Sequence, residues 1–284
     1  MTIKTNNTTL VKAVSALTIA VSLVACNSNN TEKADVTTKA DTTKTMDKVK
    51  NSKAKKVFAN IPEPVETTKL LKEAGAKYNA AYLNPVENAS KYSSAQAKAI
   101  NLGIYGSDLS FISLYDQTQE SLLYLKCTNI LAAGLGINGV FDEKTTNRIQ
   151  SNLDKKDSLM DIISKSYWTA DNYLVDNGQP GVSSLIVAGG WLEGLYIATR
   201  VASATKNDGI AKQIGQQKAS LSNLIDLMNE YKAENKGMDE VVKSLEDLKA
   251  VFESADASAM KLDDAQFKKL SDKAAEIRSN FIKP

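Results

Sequence analysis

The sequence of 284 residues contains no histidine at all, and it has only two cysteines. Histidine is the commonest general base and the commonest metal ligand in proteins. Its absence excludes histidine-based catalytic triads, cysteine–histidine proteases and zinc sites with histidine ligands. The sequence therefore gives no support to the best-known classes of hydrolase or metalloenzyme.

Arginine is almost as scarce, since Arg148, Arg200 and Arg278 are the only ones in the chain. Arginine is the usual residue for bidentate recognition of phosphate or carboxylate. The chain also has no phosphate loop, dinucleotide fingerprint or EF-hand loop. We therefore expect no cofactor, no metal and no nucleic-acid partner, and we interpret the protein as a non-enzyme.

The N-terminus has the pattern of a secretory signal. Lys4 and Lys12 precede residues 13–25, which are apolar or small and carry no charge, and Cys26 follows directly. A helix that spans a bilayer needs about 20 apolar residues, so this run is too short to be one. Its charge, length and final small residue are typical of a cleaved signal peptide over residues 1–25. An uncleaved membrane anchor or an ordinary secretory signal is the alternative.

The string Leu23-Val24-Ala25-Cys26 resembles the signal of bacterial lipoproteins. The resemblance implies that the Cys26 thiol is diacylated, that the chain is cut before Cys26, and that the new amine is acylated, for example with palmitate. It implies a lipid-anchored protein of the cell envelope, and Asn27 favours the outer membrane. With Cys26 acylated, Cys127 is the only thiol left, which excludes an intramolecular disulfide. We expect Cys127 to be buried and inert.

Residues 26–56 are predicted to be a lipidated, disordered linker. They are rich in Asn, Thr, Lys and Asp, contain no aromatic residue and carry a net charge of +4. Such a segment buries too little apolar surface to offset the entropy of ordering. Without residues 1–25 the chain has 33 basic and 33 acidic residues, so it is neutral overall. We predict that a globular domain of residues 57–284 is held off a membrane by this tether.

The domain is predicted to be all-α, with about eight or nine mostly antiparallel helices in one bundle-like unit. Apolar residues recur at helical spacing, and no stretch alternates as a strand would. We expect the last two helices to pack on the outside of a core formed by residues 95–205. The predicted helices cover about 67–83, 93–115, 116–134, 142–153, 157–177, 183–205, 208–233, 238–252 and 263–282. Residues 116–119 have the pattern of a capping box that opens the third of them.

The segment Ala188–Tyr196 is the most distinctive motif of the domain, because glycines inside a helix each cost about 1 kcal/mol relative to alanine. Gly189, Gly190 and Gly194 indicate either a packing seam or a ligand pocket. In a seam, Gly103 and Gly106 would face them, Trp191 would be a core residue, and Glu193 would be exposed or paired with Arg200 or Arg148. In a pocket, Trp191 and Tyr196 would be walls and Glu193 the polar anchor.

Two further patterns bear on function. The carboxylates of Asp108, Asp116, Asp171 and Glu193 could supply an acid/base pair for a hydrolase, although their spacing does not require it. Residues 131–150, with Leu135-Gly136-Ile137-Asn138-Gly139-Val140-Phe141, resemble the second half of the small peptidoglycan-binding repeat of cell-wall enzymes. That resemblance implies a glycine-rich turn before a helix and peptidoglycan as a partner.

The leading hypothesis for function is a membrane-anchored lipoprotein with a non-enzymatic binding or scaffold role toward an envelope protein. The alternative is a lipoprotein that binds peptidoglycan or a small ligand, and a carboxylate-based hydrolase is less favoured. The domain as a whole resembles helical envelope lipoproteins of bacteria, a likeness that implies no activity.

Overall fold

A computed structural model describes residues 70–71, 73–137, 143–253 and 262–284, and within these ranges it contains nine α-helices and no strand. The prediction of an all-α, bundle-like domain is therefore confirmed. The predicted signal peptide, the linker and the start of the domain at residue 57 lie outside the described residues. The helices are α1 Ala95–Ser113, α2 Thr118–Gly134, α3 Glu143–Gln150, α4 Lys156–Asp176, α5 Pro180–Thr205, α6 Asp208–Gln216, α7 Lys218–Tyr231, α8 Met238–Glu253 and α9 Asp264–Phe281.

Helix α5 lies at the centre of the domain. It packs most extensively against α1 and also contacts α4, α6, α7 and α9. Among the described residues it is the one helix long and apolar enough to cross a membrane, with a mean hydropathy of 1.3, but 72% of that window is buried inside the protein. Because neighbours cover it on several sides, its apolar composition is that of a core helix.

Helices α1 and α5 cross where glycines remove the side chains between them. A Cβ atom added to Gly189 would overlap the carbonyl oxygen of Ile100, and one added to Gly103 would overlap the carbonyl oxygen of Ile186. The hydroxyl of Ser107 donates a hydrogen bond of 2.8 Å to the carbonyl oxygen of Gly190. The two backbones therefore approach each other as closely as only glycine allows.

Several helices begin at the capping residues that the sequence contains. The Ser94 side chain accepts a hydrogen bond from the Ala97 amide at 3.0 Å and caps α1. Asp263 and Gln266 form a capping box at the start of α9. Helix α5 begins earlier than predicted, at Pro180, because proline suits the first turn of a helix, where its missing N–H leaves no bond unmade.

The predicted helix over residues 67–83 is wrong. Gly75 has a φ of +69°, which ends the short helical segment before it. The chain then continues through two single 3₁₀ turns, Ala80–Tyr82 and Val86–Asn88. Residues 79–94 thus form an irregular covering segment, and their backbone groups need partners elsewhere in the fold.

Two other boundaries differ from prediction for local reasons. Asp116 does not cap α2: it has a φ of +59° and forms an ion pair with Lys156, with 2.5 Å between Oδ2 and Nζ. The predicted helix over residues 208–233 is divided into α6 and α7 at Gln217. Periodicity did not reveal this break, because apolar residues recur on both sides of it.

The α1–α5 seam predicts unequal tolerance of alanine at two glycines of the same helix. Gly189→Ala should lower the free energy of unfolding by about 1–3 kcal/mol, since the new methyl group must push backbone atoms apart. Gly194→Ala is the matched control, because nothing lies within 4 Å of the added Cβ, and it should stabilise the helix by up to about 1 kcal/mol. Urea unfolding measures both values, and equal effects would contradict the described seam.

Candidate functional site

The structure places the predicted glycine segment in the middle of α5, with its residues on different faces. Gly189 lies in the α1–α5 seam, whereas a Cβ on Gly190 would lie 3.4 Å from the carbonyl oxygen of Gly103, an ordinary contact. Gly194 is exposed beside open space. Trp191 is buried among core residues. The segment thus combines close helix packing on one side with a polar group, Glu193, on another.

Glu193 is fully buried and forms an ion pair with Arg278 of α9. The Arg278 Nε atom donates to both carboxylate oxygens, at 3.0 and 2.7 Å, and a terminal nitrogen donates to Oε1 at 2.8 Å. The same terminal nitrogen donates to the Tyr82 carbonyl oxygen at 2.8 Å. The expectation that Glu193 is exposed or pairs with Arg200 or Arg148 is therefore wrong.

Tyr196 lies beside this pair and contacts two guanidinium groups. The Arg278 guanidinium carbon lies 4.3 Å from the ring centroid, and that of Arg200 lies 5.0 Å from it. Arg200 also donates to the Ser271 carbonyl oxygen of α9 at 3.2 Å. Cation–π contacts of this kind strengthen when they are desolvated, so Tyr196 helps to hold α9 against α5.

Asp108 of α1 brings a second carboxyl group to the same place. It is fully buried, its Oδ2 accepts a hydrogen bond of 3.1 Å from the Asn84 amide, and its other oxygen receives no donor from the described residues. Its carboxyl group is within hydrogen-bonding reach of Glu193. Burial, and next the charge of Glu193, hold the pKa of Asp108 well above its usual range, although Arg278 opposes the shift.

Burial also raises the pKa of Glu193, but here the hydrogen bonds and charge of Arg278 act in the opposite direction. Burial alone would lower the pKa of Arg278, because it disfavours the charged guanidinium. The hydrogen bonds and charge of the Glu193 carboxylate have the larger effect, so the pKa of Arg278 is raised. The three hydrogen bonds that Arg278 donates to both oxygens of Glu193 fit an ionised carboxylate on an ionised arginine. We call Asp108, Glu193 and Arg278 the buried charge cluster.

A network of neutral polar groups surrounds the cluster and holds the covering segment. The Asn84 side chain donates to the Tyr92 hydroxyl and to Asn101 Oδ1, both at 3.0 Å. Tyr92 donates to the Ile282 carbonyl oxygen and Asn101 to that of Phe281, both at 2.9 Å. These bonds satisfy carbonyl groups at the C-terminal end of α9, where a helix has no internal donors.

The four carboxylates expected as candidate catalytic acids do not converge as a set. Asp108 and Glu193 meet in the buried charge cluster, whereas Asp116 lies at the surface beside Lys156. Asp171 of α4 is buried and accepts a hydrogen bond from the Ser183 hydroxyl, and burial raises the pKa of its carboxyl group. The pair that does meet has no exposed surface, so a substrate has no access to it in this conformation.

Cys127 is buried in α2, as expected, and burial raises the pKa of its thiol to about 11. It is therefore a neutral thiol, and its Sγ atom lies 3.7 Å from the Val86 carbonyl oxygen. A high thiol pKa and burial both disfavour reactivity. Within the ranges that the structure describes, His, Cys, Asp and Glu form no group of three that could hold a metal ion.

Comparison of the chain with protein-family models, with curated proteins and with solved structures gave no significant match. Cys26 and residues 138–142, which include part of the peptidoglycan-repeat motif, lie outside the described residues.

Glu193→Gln should destabilise the protein strongly, because it removes the carboxylate that accepts three hydrogen bonds from the buried Arg278 guanidinium. Breaking one partner of a buried ion pair costs about 3–5 kcal/mol. Glu276→Gln is the matched control on α9, since the Glu276 side chain is 61% exposed and pairs with Lys273 at the surface; it should cost less than about 1 kcal/mol. Chemical denaturation measures both, and a Glu193→Gln protein as stable as the control would refute the ion pair.

Proposed function

We propose that the protein is a lipid-anchored lipoprotein of the cell envelope with a non-enzymatic binding or scaffold role. The observation that carries the proposal is the string Leu23-Val24-Ala25-Cys26 at the end of the uncharged run of residues 13–25. A lysine-rich linker follows it, and the helical domain comes after the linker. This order of segments suits a protein that holds a folded domain at a distance from a membrane.

The physical basis of the anchor is acyl-chain burial. Each buried methylene group contributes about 0.8 kcal/mol, and stable attachment needs two signals such as two acyl chains. Diacylation of the Cys26 thiol and acylation of its amine would exceed that requirement. A random coil of about 30 residues has an average reach of roughly 30 Å, and a linker with that property would give the domain access to partners near the membrane surface.

The helical domain supports a binding role better than a catalytic one. Its two converging acids, Asp108 and Glu193, are both fully buried, and one of them is paired with an arginine. A hydrolase needs two acids with access to substrate and to water. We therefore keep the carboxylate-based hydrolase as the least favoured hypothesis.

Peptidoglycan or a small ligand as the bound partner is the second candidate function. The turn at Gly136, with a φ of +76°, and helix α3 agree with the glycine turn and helix of the resemblance to the peptidoglycan-binding repeat. Ile137 between them is buried. The glycine turn before residues 138–142 and the helix after them therefore support the resemblance.

Metabolic labelling with a radioactive fatty acid tests the anchor. The wild-type chain should incorporate label and fractionate with membranes, whereas Cys26→Ser should do neither, because it lacks the thiol that is acylated. Cys127→Ser is the matched control and should label as the wild type does, since Cys127 is buried in α2.

Equal labelling of wild type and Cys26→Ser would overturn the proposal of a lipid anchor. Two binding assays with the same labelled protein distinguish peptidoglycan from an envelope protein as the partner. Sedimentation with purified cell-wall sacculi would favour peptidoglycan, whereas crosslinking to one envelope protein without such sedimentation would favour the scaffold role.

A further inference from the structure

The buried charge cluster encloses two carboxyl groups and only one guanidinium. Asp108 and Glu193 have no exposed surface, and Arg278 is 6% exposed. With both carboxyls ionised, the cluster would hold a net negative charge away from water, which is costly in a protein interior. The two carboxylates would also repel each other, and one oxygen of Asp108 receives no hydrogen bond from the described residues.

A single proton removes both problems. A protonated Asp108 can donate a hydrogen bond to Glu193, while its other oxygen still accepts from the Asn84 amide. The cluster then contains one acid, one carboxylate and one guanidinium, and its net charge is zero. The direction of the pKa shift at Asp108, upward through burial and the Glu193 charge, agrees with this count.

The other titratable groups around Asp108 do not change charge near neutral pH. Burial raises the pKa of the nearby tyrosines above their ordinary value of about 10, and the Cys127 thiol has a pKa of about 11. The charged neighbours are Glu193 of α5 and Arg278 of α9, and the neutral ones are Tyr78, Tyr105, Tyr124, Cys127 and, from α4, Tyr167. The pair of carboxyl groups, Asp108 and Glu193, is therefore the part of the cluster whose charge responds to pH.

Two elements of the fold are fastened at this cluster. Helix α9 is held through Arg278, and the covering segment of residues 79–94 is held through the Asn84 amide and the Tyr82 carbonyl oxygen. Both lie against the α1–α5 pair, which supplies Asp108 and Glu193. A change of charge at Asp108 thus acts on both attachments at once.

We propose that the buried charge cluster is a proton-dependent latch, in which one proton shared by Asp108 and Glu193 keeps α9 and residues 79–94 docked on the α1–α5 pair. Loss of the proton places two carboxylates against one arginine and loosens the docked elements. An unfolded aspartate titrates near pH 4, and the folded protein binds this proton more tightly. The stabilisation is therefore complete below about pH 4 and is lost as pH rises through the folded pKa of Asp108.

The test compares the wild-type full chain with Asp108→Asn, whose carboxamide mimics the protonated acid at every pH. Urea unfolding midpoints and hydrogen exchange of α9 peptides, corrected for intrinsic rates, are measured from about pH 5 to pH 9. In the wild type the midpoint should fall and α9 exchange should accelerate several-fold relative to α6 as pH rises. In Asp108→Asn the ratio of α9 to α6 exchange should stay constant.

Asp171→Asn is the matched control, because Asp171 is buried on α4 outside the cluster and bonds to Ser183. It should keep the wild-type response of α9. The infrared carbonyl band of a protonated carboxylic acid, recorded over the same pH range in the Asp171→Asn protein, reports the proton even if Asp108→Asn fails to fold. The band should be present where α9 exchange is slow and disappear as α9 exchange accelerates. Absence of that band, or the same α9 response in Asp108→Asn as in wild type, would overturn the latch.

Discussion

The ion pair between Glu193 and Arg278 is the interaction on which the arrangement of the domain depends. It joins the central helix α5 to the last helix α9 across 85 residues of sequence, and both side chains are buried. Desolvating two charges is expensive, and the cost is recovered only with good geometry and further hydrogen bonds. Three hydrogen bonds to the carboxylate, one to the Tyr82 carbonyl oxygen and the Tyr196 ring meet that requirement.

The fold was predictable from the sequence where its determinants are local. The starts of α1 and α9 follow from Ser94 and Asp263, because a capping side chain and the backbone amide that donates to it lie within one helical turn. The segment after Gly75 was not predictable in the same way, since its apolar residues have helical spacing. Its conformation is set by long-range hydrogen bonds: the Asn84 amide donates to Asp108 of α1, and Arg278 of α9 donates to the Tyr82 carbonyl oxygen. Hydrogen bonds of this kind produce no periodic pattern in the sequence.

The candidate site was only half predictable. Because glycine is costly inside a helix, the segment with Gly189 and Glu193 could be identified from the sequence as unusual. The sequence alone does not indicate which of the three arginines pairs with Glu193. Helix α9 was expected to be an outer helix because it is lysine-rich. A signal did exist, since Arg278 continues the spacing of the buried residues Leu270, Ala274 and Ile277 and thus falls on the buried stripe of α9.

A double-mutant cycle between Glu193 and Arg278 tests the central claim most directly, with Glu193→Gln, Arg278→Met and the double variant compared by urea unfolding at one pH. Because each single change leaves the other buried group without the hydrogen bonds of the pair, the double variant should lose less stability than the two single variants together, by about 2–3 kcal/mol. Additive losses would show that the two residues act independently and would contradict the account of a buried pair that fastens α9 to α5.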